Sequence, residues 1–368
     1  MISIIVPYYF GRKYIPQIVR MYNKNQKKLR EIYPDEEIEL LIVNDSPSEL
    51  IEVQEAGVRI VVNKKNMGIH ASRVAGLESS RGEYVLFLDQ DDIITDQYMV
   101  SQMRHMKENT VVVCNGIHRG MPIYKSESQF KHIIDECKYC PMISPGQSLL
   151  RKKEIPQEWK KNILQNSGAD DFFLWILLRD NGISFQYNEE ILYEHINHKK
   201  NKSSDLSGMI DSLEELKDIL CVTREQSDIV RSYCSGINSS VDTYTRRIAL
   251  QERFNNMFSS DGTIQEILEK NKCSEIVIYG FGTVGQAVYE FLLERNSKVA
   301  MILDLRAELY NRKVDCPLLK PDEKVLKKIE KNQLVIVTVM KDNKIIVDWL
   351  LHNGVRSVMS IDEFGKRK

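Results

Sequence analysis

The stretch Glu83-Tyr84-Val85-Leu86-Phe87-Leu88-Asp89-Gln90-Asp91-Asp92 is an apolar run that ends abruptly in three carboxylates. In a parallel sheet, ligands bind beyond the carboxyl ends of the strands, so acids at such a point face a site. Three carboxylates this close repel one another unless a cation joins them. Hard oxygen donors suit Mg²⁺ or Mn²⁺, which commonly bridge a protein carboxylate to a diphosphate. Read alone, the same acids also suit a solvated turn that caps the next helix. A second apolar run, 39–43, ends in Asn44-Asp45-Ser46. There Asp45 is placed either to accept hydrogen bonds from a nucleobase or ribose, or to act as an ordinary turn residue. Further on, Gly168-Ala169-Asp170-Asp171-Phe172-Phe173-Leu174-Trp175 sets two acids and then aromatic residues at a helix start. Acids favour a helix N-terminus by a few tenths to about 1 kcal/mol, which is one reason for them. The other is catalytic, since an Asp shielded from water by aromatic rings has its pKa raised toward that of a usable base.

A separate glycine-rich stretch, Gly280-Phe281-Gly282-Thr283-Val284-Gly285, follows an apolar strand and opens a helix, and Asp304 ends the next strand. In that context Gly280, Gly282 and Gly285 let a pyrophosphate approach the helix N-terminus, and Asp304 receives ribose hydroxyls. NAD(P) is the cofactor that such a site takes. No Tyr-Lys pair or His downstream completes an oxidoreductase, so a structural or oligomerising module fits the same residues. Cys137-Lys138-Tyr139-Cys140 has zinc-knuckle spacing but no second pair of ligands, and reads as two free thiols.

The elements that must position these groups follow from periodicity. Short apolar runs at 2–6, 38–43, 58–62, 83–88 and 110–114 read as strands. They alternate with helical spacing at 15–32, 69–80 and from 96 onward, the pattern of a parallel sheet covered by helices. From about 120 to 200, prolines 122, 141, 145 and 156 break the chain into loops before a helix at 170–181. Residues 205–272 are polar, contain no proline, and read as a helical connector. A second α/β pattern follows, with strands at 275–279, 298–303, 334–339 and 357–361 and helices at 285–295 and 342–352.

Taken in order, Ser3-Ile4-Ile5-Val6-Pro7-Tyr8-Tyr9, Val43-Asn44-Asp45-Ser46, Asn66-Met67-Gly68 with Ala71-Ser72-Arg73, and Arg81-Gly82-Glu83-Tyr84 leading to Asp89-Gln90-Asp91-Asp92 resemble the family 2 glycosyltransferases of the GT-A fold. The resemblance covers about the first 200 residues. It implies a GT-A domain at 1–204, which the patterns above follow with the connector at 205–272 and a smaller Rossmann-like α/β domain at 273–368. It implies that Pro7 and Tyr9 border the nucleotide and that Asp45 contacts the base. Asn66, Gly68 and Arg73 lie along the nucleotide and its phosphates. Asp89, Gln90 and Asp91 form the DXD segment, with Asp91 the main metal ligand. Val74 departs from the Asn often found after the arginine. Asp171 matches the catalytic base of the ED motif, with Asp170 in place of Glu. A histidine near the diphosphate and metal is also implied; His198 aligns slightly better than His195.

The expected activity is a metal-dependent, inverting hexosyl transfer from a nucleoside-diphosphate sugar, expected to be UDP-linked. The acceptor is a glycan or lipid-linked molecule, and cell-surface polysaccharide synthesis is the family's natural setting. Mn²⁺ or Mg²⁺ is the expected cofactor. The alternatives are an NAD(P)-dependent nucleotide-sugar oxidoreductase working through the C-terminal domain, and a non-catalytic nucleotide-sugar-binding assembly protein.

Composition narrows the partners. The 368 residues carry 51 Lys+Arg against 52 Asp+Glu, a net charge of −1, which argues against a nucleic-acid-coating protein. Seven scattered cysteines, an odd number, read as reduced thiols, and the compartment as cytoplasmic, with peripheral contact at the inner face of the membrane and homo-oligomerisation left open. No signal peptide and no membrane span are expected.

Overall fold

A computed structural model describes residues 1–364 apart from 119, 137–139, 197–204, 224–232, 243, 246–247, 250–251, 253–262, 311–313 and 340–342. The chain divides into two compact units, Met1–Thr245 and Arg246–Lys368.

The first unit is built on a mixed sheet in the order β3-β2-β1-β4-β8-β6-β9-β5, with β7 paired to β6. Its parallel half comprises β1 (Ile2–Tyr8), β2 (Ile38–Asn44), β3 (Val58–Val62) and β4 (Tyr84–Phe87), where the apolar runs predict strands. Three of these are buried on both faces or nearly so, which is why they read as near-continuous apolar runs rather than alternating ones. Helices α1 (Ile15–Ile32) and α2 (Ile69–Ser79) connect them. Side chains alternate between two cores. Ile2, Ile4 and Val6 pack with Ile18, Met21 and Leu29 of α1 and with Met99 of α3 (Tyr98–His105), while Ile5, Leu41 and Phe87 pack with Val74 and Leu77 of α2. Gly76 of α2 has no room for a side chain, since a Cβ there would lie 2.3 Å from Ile5 Cγ2, so the helix lies directly on β1.

The other half departs from the loops expected between 120 and 200. It contains β5 (Ile93–Ile94), β6 (Thr110–His118), β7 (Met121–Pro122), β8 (Ser148–Arg151) and β9 (Ser184–His195), with the short helices α4 (Glu127–Glu136) and α5 (Gln157–Lys161) and the longer α6 (Asp170–Asp180). Residues 148–151 are too few to show a period. The long β9 carries Asn188, Glu189 and Glu190 in its middle, where its register against β6 shifts twice. Both features hide a strand from periodicity, and the pairing with β6 supplies it instead.

The helical stretch 205–272 is shared between the units. Leu213, Leu216 and Leu220 of α7 (Leu206–Thr223) pack with Trp175 and Leu178 of α6, whereas Leu268 of the helix Thr263–Lys270 packs in the second unit's core. Six cysteines among the described residues are free; Cys221 and Cys234 sit with their sulfurs 3.8 Å apart as thiols.

The second unit is a parallel sheet of β10 (Glu275–Tyr279), β11 (Val299–Leu303), β12 (Leu318–Leu319), β13 (Gln333–Val337) and β14 (Val358–Ser360), in the order β12-β11-β10-β13-β14. Starting the order from its middle strand and winding outward both ways is what right-handed βαβ crossovers on two faces produce. The helix Thr283–Glu294 opens where the glycine pattern predicts.

Candidate active site at the carboxyl edge of the first sheet

β1, β2, β3 and β4 run parallel, β8 is reversed between β4 and β6, and β6 and β9 run parallel to each other. One reversed strand between two groups leaves both groups pointing the same way. The carboxyl ends of β1, β2, β4, β6 and β9 therefore share an edge, and Tyr9, Asp45, Asp89, His118 and His195 stand at it.

Asp45, only 5% exposed, has its carboxylate turned into the neighbouring loop. Oδ1 accepts from Asn63 Nδ2 and Met67 N, both at 2.7 Å, and Oδ2 accepts from Gly68 N at 2.9 Å. Gly68 has φ +87°, a left-handed conformation that glycine adopts without strain, and its N–H also reaches Asn66 Oδ1. Asp45 thus shapes the 66–68 loop, with one of roughly four carboxylate lone-pair positions remaining for a base. Pro7 lies in β1 opposite Val43. The Tyr8 hydroxyl turns inward to Glu49, while Tyr9 is half exposed beyond the strand. The Gln90 amide grips the Tyr9 backbone at both ends, accepting from its N–H at 3.1 Å and donating to its C=O at 3.2 Å, so Gln90 clasps the exit of β1 to the acidic turn.

The three acids of that turn occupy three environments. Asp89 faces the protein: Arg73 Nη2 lies 2.7 Å from Oδ1, and Ser144 Oγ donates to Oδ2 at 3.1 Å. Asp92 is fully buried, accepting the Tyr193 hydroxyl, the Ile196 N–H at 3.0 Å and His195 Nδ1 at 3.0 Å. Asp91 is half-buried between them. Of the two candidate histidines, His195 lies at this turn, its ring 5.2 Å from that of His118; His198 lies outside the described residues.

Among the described residues no group of three or more His, Cys, Asp or Glu forms a ready-made metal cage. Mg²⁺ and Mn²⁺ do not require one, since such ions are held by one or two carboxylates together with substrate phosphates and water. The donor chemistry fits: Asp91 supplies a hard oxygen, and with His195 Nδ1–H donating to Asp92 the lone pair lies on Nε2, the carboxylate–histidine arrangement that orients metal ligands.

The second acidic pair opens α6. Asp170 is buried, its Oδ2 2.5 Å from Arg73 Nη1 and its backbone C=O accepting from Trp159 Nε1 at 2.8 Å. One guanidinium therefore joins Asp89 to Asp170. Burial disfavours the Arg73 charge, but Asp170 and Asp89 more than offset this, and its pKa is raised. Asp171 is half-buried, with Oδ1 accepting from Phe172 N at 2.7 Å and Oδ2 3.6 Å from the Cys140 thiol. Burial, and next the neighbouring Asp170, push its pKa up to about 7, against the opposing pull of Arg73. Ser144, His70 and Trp159 were not singled out by the sequence, and Cys140 was read there only as a free thiol. Asp92, beside the DXD segment, carried a local signal.

In the second unit, Gly280 has φ +96° and a Cβ on Gly285 would lie 1.9 Å from Gly280 O, so both glycines are needed for the turn and for the helix to lie against it. A Cβ on Gly282 would meet nothing within 4 Å. Asp304 is turned back onto this loop: it accepts from Phe281 N at 2.6 Å, Arg306 N at 2.7 Å and the Tyr310 hydroxyl at 3.2 Å. The aspartate is accordingly engaged in holding the glycine turn.

Parts of the chain are similar to known proteins. Residues 3–170 match the glycosyl transferase family 2. An uncharacterised glycosyltransferase of Haemophilus influenzae is 31% identical over 124 residues, 32% of this chain and 46% of the relative. A second from the same organism is 23% identical over 252 residues, 63% of this chain and 82% of the relative. This chain thus spans about half the length of the first of these. Among solved structures, residues 1–349 of S. aureus TarS in complex with UDP-GlcNAc superpose with a TM-score of 0.45 at 16% identity, covering 65% of this chain and 72% of that one. The similarity to glycosyl transferase family 2 thus lies in residues 3–170, the segment that carries Asp45, Arg73, Asp89 and Asp91.

Proposed function

We propose that this chain transfers a sugar, with inversion, from a nucleoside-diphosphate donor to a hydroxyl of a glycan or lipid-linked acceptor. UDP is the first nucleotide to test, and cell-surface polysaccharide assembly is the setting the family suggests. The observation that carries the proposal is the convergence of the DXD acids with a second carboxylate, Asp171, whose pKa near 7 suits a general base. Asp171 takes the acceptor hydroxyl's proton as that oxygen attacks the anomeric carbon. Asp45 and the 66–68 loop bind the nucleoside, and Tyr9, held by Gln90, borders it. Asp91 and His195 would hold a Mn²⁺ or Mg²⁺ ion, which would supply positive charge against the departing diphosphate. No helix among the described residues is long and apolar enough to cross a membrane.

The test is a donor screen that reads released UDP or GDP with Mn²⁺ present. Release by the wild type, lost on chelation and on Asp91→Ala, is expected; release that persists in EDTA overturns the metal assignment. A general base must be deprotonated to act. With the Asp171 pKa raised to about 7, kcat/KM is expected to climb as pH rises through about 7 and to level off above it. A profile that is flat from pH 5 to 8 counts against Asp171. The alternative of hydride transfer has no support from Asp304, which accepts from the N–H groups of Phe281 and Arg306.

A further inference from the structure

We infer that Arg73 is a positioning residue that braces the donor-side turn against the helix bearing the base, and is not a phosphate contact. This inference rests on the transferase function proposed above. Arg73 is 3% exposed, and its two terminal nitrogens are divided between Asp89 and Asp170. The pairing spans β4's acidic turn on one side and the first residue of α6 on the other. The rest of the joint is built the same way. His70, one turn earlier on the same face of α2, accepts the Leu164 N–H at 3.0 Å through Nδ1 and lies with its ring 4.6 Å from Trp159. Trp159 in turn donates to the Asp170 carbonyl. α2 therefore holds the segment leading into α6 at two points, 164 and 170, and sets where Asp171 stands relative to Asp89.

A guanidinium does this because its planar fork presents donors in two directions at once, whereas a lysine ammonium is a point charge on a flexible stem. Turning Arg73 toward a diphosphate would leave Asp170, 2% exposed, without its cation. Ser144 completes the brace by occupying the other oxygen of Asp89.

The test separates turnover from binding. In Arg73→Lys the nucleoside-diphosphate Kd, measured by calorimetry with Mn²⁺, is expected to stay within about twofold while kcat falls by about tenfold or more. Any other pattern, above all a weakened Kd with kcat retained, overturns the brace. Unfolding provides a second readout that needs no turnover. Arg73→Met should lower the melting temperature, and adding Asp170→Asn should restore part of the loss, because it removes the stranded charge. Strictly additive losses overturn the ion-pair brace. If the wild type turns over no donor, the transferase proposal fails by itself, and the melting comparison still decides whether Arg73 braces the two segments.

Discussion

Asp171→Asn is expected to cut turnover by about 10²–10⁴-fold while leaving nucleoside-diphosphate affinity within about twofold, the range that one positioned proton acceptor contributes. The amide is close in size to the carboxylate, so the N-terminus of α6 should persist. Its oxygen still accepts from Phe172 N at the position of Oδ1. What disappears is basicity at Oδ2, the atom beside Cys140 and away from the helix. Because Asp45 and the 66–68 loop, proposed to bind the nucleoside, lie on other elements, donor binding is expected to be unchanged. Transfer retained within about threefold of the wild type would sink the base assignment. Loss of nucleotide binding in parallel with turnover would mean instead that the substitution disturbed the site as a whole.

Trp159→Ala should destabilise the first unit by about 3–5 kcal/mol, the usual range for deleting a buried tryptophan. The indole is completely buried, packs against Phe87 of β4 and His70 of α2, and donates to the Asp170 carbonyl. Its loss leaves a cavity beneath the first turn of α6. Urea unfolding monitored through Trp175, in the same core, reports the change as a lowered midpoint. Trp159→Phe keeps most of the packing but removes the N–H, and a cost of about 1–2 kcal/mol is expected for it. An unfolding free energy unchanged in Trp159→Ala would show that α6 is not anchored from below.

The parallel half of the first sheet was legible because its signals are local. An apolar run such as 38–43 is buried on both faces and reads as a strand without reference to anything else. The second unit was legible for the same reason: four of its five strands lie where the apolar runs place them, the two-residue β12 being the exception, and glycines 280 and 285 are required by the backbone itself. The antiparallel half was not legible. β8 has four residues, and β9 carries the consecutive exposed residues Glu189, Glu190 and Ile191 and a doubly shifted register, so neither has a period to detect. Their pairing is decided by β6, tens of residues away. The connector illustrates the same limit: its helical spacing was readable, but α7's burial against Trp175 depends on the shape of α6.

The sequence by itself determined that acids stand at strand ends and at a helix start, since a strand's end and a helix's first turn follow from a few consecutive residues. The tertiary structure alone decided what each acid does. Arg73 meets Asp170 across 97 positions, and Asp92 meets His195 across 103. A carboxylate's role depends on which cation, N–H or solvent it faces, and those partners are brought to it by the closing of the sheet rather than by its neighbours in the chain.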